Sequence, residues 1–486
     1  MTLSEVVARH ARTQPDAIAF IEAPSGHTVT WSEYDARASS VAIALAKRHP
    51  RGARVAIQMP DGADVHIAIL ACERAGLVGV GIGPRAGARE VDHLVAKTGA
   101  AAIIRSLDDV EATASPFATP RPPQPRRDDE LWFLNSTSGT TGLPKCVMHD
   151  QRRWFAFHDL AVANGALGSG DVFMSLLPAP FGFGLWTAHF TPAILGAPCV
   201  LLGRFDVGDA LDAIDRHHVS VLAAVSTQFV MMLNASQVAS HDLASLRVMF
   251  TGGEMVPTER AAEWEQRTGS LVLQFYGSNE TGALSATTVR DDADVRLGTA
   301  GHVIESMHVR LLDADTGADV TAIGGPGIGA CRGPLTCLGY FDDPDGNAAL
   351  CTDDGWMRTG DLCTVDRDGV LRVVGRTSDF VIRGGKNLSA AVIEQECATL
   401  PGVLLAAVVA KPDEVFGERV CVFCATAPGV SFTLDDLRAH LAARGVGKEL
   451  WPEHLVLVDG NLPRSSGGKV AKSELRTRAA MLDDIA

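Results

Sequence analysis

Thr137-Ser138-Gly139-Thr140-Thr141-Gly142-Leu143-Pro144-Lys145 stands close behind the apolar run Leu131-Trp132-Phe133-Leu134, and together they read as a buried strand opening into an anion-binding loop. Glycines let a backbone turn tightly and bring its N–H groups close to an anion. The hydroxyls of Thr137, Ser138, Thr140 and Thr141 add donors, and Lys145 adds a compact positive charge suited to phosphate. The spacing is not that of the common nucleoside-triphosphate loop, because Pro144 stands where the second glycine would be. A solvated Ser/Thr/Gly linker is the alternative, and the Leu-Pro-Lys ending after a buried-looking strand argues against it.

Outward from this loop, short apolar runs alternate with helical periodicity between about residues 50 and 280. Strands are predicted at Val55–Met59, Ala101–Ile104, Val172–Leu177, Val200–Leu202, Val219–Val225, Val248–Thr251 and Leu271–Tyr276, with helices at Ala63–Ala75 and Val207–His217. Such alternation signals parallel sheets covered by helices. Ser115–Arg127 holds five prolines and reads as a surface connector. From Gly298 to Gly375 the texture becomes Gly/Asp-punctuated, with strands at Val309–Leu312 and Leu371–Val374, which suggests an antiparallel β subdomain. After Arg376 comes a small α/β unit: helices near Ala391–Thr399 and Leu434–Ala443, strands near Leu404–Val409 and Val420–Ala425.

A chain of 486 residues exceeds what one core serves. Apolar residues make up 46%, yet no uninterrupted run approaches the length of a membrane span, and the N-terminus lacks a secretory pattern. The ten cysteines are scattered in apolar segments, and Cys421 and Cys424 would face opposite sides of one strand, as core residues do. A cytoplasmic protein is expected. The formal net charge of −15 argues against a nucleic-acid binder, so an anionic substrate must be held by local cations, amides and a divalent metal.

More motifs join the loop. Gln274-Phe275-Tyr276-Gly277-Ser278-Asn279-Glu280-Thr281-Gly282 places an acid just past a strand end, where open α/β sheets bind ligands. Arg358-Thr359-Gly360-Asp361-Leu362 sets a carboxylate in a tight turn suited to a ribose diol. Gly375-Arg376-Thr377-Ser378-Asp379 lies where the large unit gives way to the small one, and Pro463-Arg464-Ser465-Ser466-Gly467-Gly468-Lys469 presents a second lysine among glycines. Each alone is weak, since a Gly-Asp turn is usually only a turn; the order and spacing carry the signal.

In that order the chain resembles the adenylate-forming superfamily of acyl- and aryl-CoA ligases, peptide-synthetase adenylation domains and luciferases. The resemblance implies an α/β fold: a large N-terminal domain (1–376) of two parallel α/β subdomains and a distorted β-barrel subdomain, then a small mobile C-terminal α+β domain (377–486). It implies an acid–thiol ligase that uses Mg-ATP to form an acyl adenylate and then passes the acyl group to CoA. By position, Thr137, Ser138, Gly139, Thr140, Thr141, Gly142 and Lys145 would handle the β- and γ-phosphates. Tyr276 and Gly277 would lie beside adenine, with Gly253, Glu254, Ser278 and Asn279 also at the nucleotide. Glu280 would position Mg²⁺, Asp361 with Arg376 would take the ribose, and Lys469 would bridge the substrate carboxylate and the α-phosphate. Cys146 stands for a usual glycine, Asn279 for a usual threonine, and Ser378 at the hinge for a usual acid or lysine.

Leu177-Pro178-Ala179-Pro180-Phe181-Gly182-Phe183-Gly184-Leu185 corresponds to the family's pocket wall. It offers Phe181 and Phe183 and no charge, so an α-amino acid is not the expected substrate. The pattern looks most like benzoate-type CoA ligases, with Gly182, Gly184, Gly252 and Gly253 leaving room for a flat ring, and Thr227 and Ser278 as further pocket residues. CoA is the expected acceptor; the alternative is a carrier-protein phosphopantetheine supplied by another chain. A catalytically inactive nucleotide binder of the same fold is the reading from a different class, and the retained Lys145, Glu280, Asp361 and Lys469 argue against it.

Overall fold

The computed structural model describes residues 1–111, 124–136, 144–254, 256–376, 379–384, 386–427, 429–464 and 470–482. Thr137 to Gly142, Ser378 and Lys469 lie outside them.

Two mainly parallel sheets carry the front of the chain. The larger has nine strands, in the order His302–Val303, Gly282–Ala286, Leu271–Ser278, Val248–Gly252, Val221–Ala223, Phe173–Ser175, Cys199–Leu202, Ile18–Ala23 and His27–Thr30. Its six central strands, from Leu271–Ser278 to Ile18–Ala23, pair in parallel. Cys199–Leu202 is buried at every position, as expected of a strand covered on both faces. The second sheet has Ala102–Ile104, Arg54–Ile57, Val78–Gly81 and Phe133–Ser136 in parallel, then Cys146–His149 antiparallel.

Helices form where local signals agree. Val207–His217 buries Ala210, Leu211, Ala213 and Ile214, and the Asp206 carboxylate caps its start by accepting from the Gly208 and Asp209 amides. Thr2 with Glu5 and Thr30 with Glu33 make capping boxes for Leu3–Thr13 and Trp31–Arg48. Leu185–Phe190 is a π-helix that the sequence reading did not anticipate.

The Gly/Asp-rich region is an antiparallel sheet of His308–Leu312, Gly327–Arg332, Met357–Val365 and Leu371–Arg376, with register shifts at Ile328/Ala330 and Leu362/Cys363. The C-terminal sheet pairs Lys386–Ser389, Phe380–Arg383, Gly417–Thr426 and Val403–Asp413 antiparallel, with His454–Asp459 parallel to Gly417–Thr426. Cys421 and Cys424 pack into different core clusters, as their alternation along the strand requires. Among the described residues, no helix is long and apolar enough to cross a membrane.

Candidate active site

Adjacent parallel strands of the large sheet release their motifs on the same edge. Phe173–Ser175 runs on to Leu177–Leu185, Val221–Ala223 to the helix Ser226–Asn234, Val248–Gly252 to Gly253-Glu254, and Leu271–Ser278 to the turn that holds Glu280. Carboxyl ends of parallel strands are where such sheets bind ligands.

Asp361 lies in Met357–Val365, directly opposite Arg376 in the antiparallel register. Its Oδ1 accepts from Arg376 Nε at 2.8 Å and its Oδ2 from the Tyr276 hydroxyl at 2.8 Å. Burial weighs against the Arg376 charge, but the neighbouring Asp361 outweighs it and holds the guanidinium pKa up. Burial, with Cys363 and Asp361 alongside, pushes the Tyr276 phenol well up, so it stays a donor. A carboxylate has about four lone-pair sites, so each oxygen keeps capacity for one further hydroxyl.

Tyr340, which sequence reasoning missed, joins two of the expected residues. Its hydroxyl donates to Glu280 Oε1 at 2.8 Å, and the Lys145 ammonium sits 4.5 Å from its ring centroid. Lys145 also lies 3.7 Å from Asp343. Cys146 is a buried strand residue opposite Ser136, and burial pushes its thiol up to about 11, so it is packing rather than chemistry.

The Asn279 carboxamide pairs with that of Asn135 and keeps one N–H beyond that pair. Its Nδ2 donates to Asn135 Oδ1 at 2.5 Å, and its Oδ1 accepts from Asn135 Nδ2 at 3.2 Å. Below it, buried Arg153 donates to the Asn279 carbonyl at 2.7 Å and bonds His149 Nδ1, while His149 Nε2 lies 2.8 Å from Asn135 Oδ1. Ser278 likewise turns its hydroxyl inward, where it accepts from the Glu280 and Thr281 amides. These bonds set the shape of the hairpin that holds Glu280.

In the segment expected to wall the pocket, Phe183 stacks on Trp186 at 5.4 Å and packs against Leu177, Ala223 and Val225. Trp186 in turn contacts Phe157, Phe250 and Phe275. Phe181 is half-buried at the start of Gly182–Gly184. Here the glycines correct the sequence reading. A Cβ on Gly184 would come within 2.2 Å of the Pro178 carbonyl oxygen, and one on Gly252 within 2.5 Å of that of Phe275. Backbone approach, not room for a ring, accounts for both. Gly182 faces Asn279 Oδ1, 2.7 Å from its would-be Cβ. Thr227 gives its hydroxyl to Glu254 Oε1 at 3.3 Å, so that group is engaged rather than open to the pocket.

In the C-terminal part, Asp379 follows the expected hinge and pairs with Lys472 at 3.1 Å and Arg476 at 2.8 Å, while Lys472 also meets half-buried Glu394 at 2.8 Å. Lys472 is three residues past Lys469 in the chain, so these pairs tie its helix, Lys472–Ala480, to Asp379.

Residues 7–341 match the family described as AMP-binding enzyme, and residues 392–469 match the AMP-binding enzyme C-terminal domain. The chain is 29% identical to the medium-chain fatty-acid–CoA ligase of Escherichia coli (strain K12), over 98% of this chain and 90% of that protein. It is 31% identical to a feruloyl-CoA synthase of Amycolatopsis sp, over 97% of each. Among solved structures, ATP-bound MatB from Rhodopseudomonas palustris aligns at a TM-score of 0.85 and 27% identity, over 98% of this chain and 99% of that one.

Proposed function

This chain belongs to the AMP-binding enzymes, through residues 7–341 and 392–469, and on that premise we propose that it is an acid–thiol ligase. It activates a carboxylic acid with ATP: a substrate carboxylate oxygen attacks the α-phosphorus, pyrophosphate leaves, and an acyl adenylate forms. The thiol of CoA then adds to the acyl carbon and AMP departs. Likeness over nearly the whole chain to a medium-chain fatty-acid–CoA ligase and a feruloyl-CoA synthase supports CoA as the acceptor.

The observation that carries the reading is the convergence of Tyr276 and Arg376 on Asp361. Two donors from separate strands hold a buried carboxylate in one orientation and leave acceptor capacity on each oxygen. Such a group is built to receive a vicinal diol, as a ribose presents. Lys145 neutralises phosphate charge from the Tyr340 side, while Lys469 draws the acid and the α-phosphate together, because two anions must meet there.

Mg²⁺ fits the residues present. Among the described residues no group of three or more acidic, His or Cys ligands exists, and Mg²⁺ is commonly held by one or two carboxylates plus substrate phosphates. Glu280 would hold it, since Tyr340 occupies one carboxylate oxygen and steers the other. When bound, the ion neutralises charge on the phosphate oxygens.

For the acid, half-buried Phe181 and Phe183, the latter backed by buried Trp186, offer apolar and aromatic surface with no fixed charge, which favours an uncharged ring or compact apolar body. Benzoate-like acids come first and medium-chain or alicyclic acids second. The test is pyrophosphate release over aryl, fatty and amino acids, followed by thioester analysis with CoA. Release with aryl or aliphatic acids and a CoA thioester as product is expected; no release with any acid would overturn the proposal.

A further inference from the structure

Arg464 stands in the second lysine-bearing motif, and the acyl-adenylate reading gives it no role. Its Nη1 donates to Thr227 Oγ1 at 2.8 Å, across 237 positions of sequence. Thr227 Oγ1 passes its own hydrogen to Glu254 Oε1 at 3.3 Å, and the Thr227 amide donates to the same oxygen at 3.2 Å. One buried hydroxyl therefore accepts from the C-terminal part and donates to the large domain. Arg464 also forms an antiparallel bridge with Val470, and these two residues bracket Lys469 in the sequence. A second cross-contact lies nearby in the chain: Arg444 Nη1 reaches Glu259 Oε1 at 3.4 Å, at the start of the helix Thr258–Thr268.

We propose that Arg464 is a positioning residue that latches the C-terminal part of the chain onto Thr227 and Glu254, and so holds that part in the orientation that adenylation uses. This rests on the acid–thiol ligase reading above. Thr227 opens the helix behind the acid pocket, and Glu254 follows the strand beside it, so the latch closes on the rim where both substrates meet. A Thr hydroxyl suits this place because it can accept and donate at once. The latch belongs to one domain orientation. Adenylation uses it, and transfer to CoA, made after the domain swings away, does not.

The experiment separates the half-reactions. Arg464→Leu should slow pyrophosphate release at least about tenfold, the scale of one charge-assisted hydrogen bond. Transfer of the acyl group from pre-made acyl adenylate to CoA should stay within about twofold of wild type, on the same scale. In a Thr227→Val background, Arg464→Leu should cause no further loss, while Thr227→Ser, which keeps the hydroxyl, should retain most of the rate. Hydrogen exchange of the 226–234 helix, read without any acid substrate, should rise in Arg464→Leu. Equal slowing of both half-reactions, or unchanged exchange together with an unchanged pyrophosphate rate, would overturn the latch. If wild type releases no pyrophosphate with any acid, the enzymatic reading fails, and the exchange arm still decides whether Arg464 holds the helix.

Discussion

Asn279 and Asn135 exchange two hydrogen bonds between their carboxamides, joining the strand that leads into the Thr137–Lys145 loop to the hairpin that holds Glu280. Asn135 is buried and also faces His149, while Asn279 is half-buried, so the Asn135 end of these bonds is kept from water. Asn135→Ala should cost about 1–3 kcal/mol, because it leaves buried partners unsatisfied. Asn279→Ala should cost a similar amount, and the double variant should lose less than the sum. Urea unfolding of all three proteins checks this; strictly additive losses would show the two residues are not coupled.

Asp361→Ala should weaken ATP and AMP binding by about 1.5–3 kcal/mol, the scale of hydrogen bonds to a charged group. Tyr276→Phe, which removes one of the two donors that orient the carboxylate, should cost less. Calorimetric titration with AMP reads both, and equal affinity in Asp361→Ala and its parent would sink the ribose role.

Lys469→Ala should lower acyl-adenylate formation about a hundredfold to a thousandfold, as the loss of a charge that stabilises developing negative charge does. Folding and ATP affinity should change little. Thioester formation from pre-made acyl adenylate should survive. A variant that still released pyrophosphate at the wild-type rate would remove Lys469 from the chemistry.

On the acid side, burying the ammonium of an α-amino acid beside Phe181 and Phe183 without a partner should make such acids at least about a hundredfold poorer than benzoate-like or medium-chain acids. Phe181→Asp should abolish aryl-acid activation by setting an unpaired carboxylate against an apolar substrate. Pyrophosphate release that is fastest with an α-amino acid would contradict this.

Buried Asp61 gives a stability prediction with a definite sign. It accepts from the Ala179 amide behind the pocket wall, and burial raises its carboxyl from 3.8 to about 7, partly offset by that amide. Its neighbour His66 is held neutral by burial, which lowers its pKa to about 3. The folded protein thus prefers protonated Asp61. The resulting stability is present in full below the unfolded value near 3.8 and is lost as pH rises toward 7. Asp61→Asn keeps an oxygen for Ala179 without the charge. It should match wild type near about pH 4 and exceed it near about pH 8, by a few kcal/mol at most. Thermal melts across that range decide it, and a variant less stable than wild type at the alkaline end would refute the assignment.

What the sequence determined on its own is what depends on neighbours in the chain. Val207–His217 and Leu434–Ala443 were legible to the residue, because periodicity and the caps at Asp206 and Thr433 are local signals. The family motifs were legible for the same reason, since each is a short run of residue types. The tertiary structure alone decided which groups those motifs would spend on one another. Tyr276 meets Asp361 across 85 positions, Asn279 meets Asn135 across 144, and Arg464 meets Thr227 across 237. A hydroxyl or amide that looks open to ligand in the sequence finds a protein partner once the chain folds, because a buried polar group left unpaired is costly. Gly184 and Gly252 turned out to answer to carbonyls from Pro178 and Phe275 rather than to a substrate, for the same physical reason: close packing is settled by which backbones meet, and no local pattern records that.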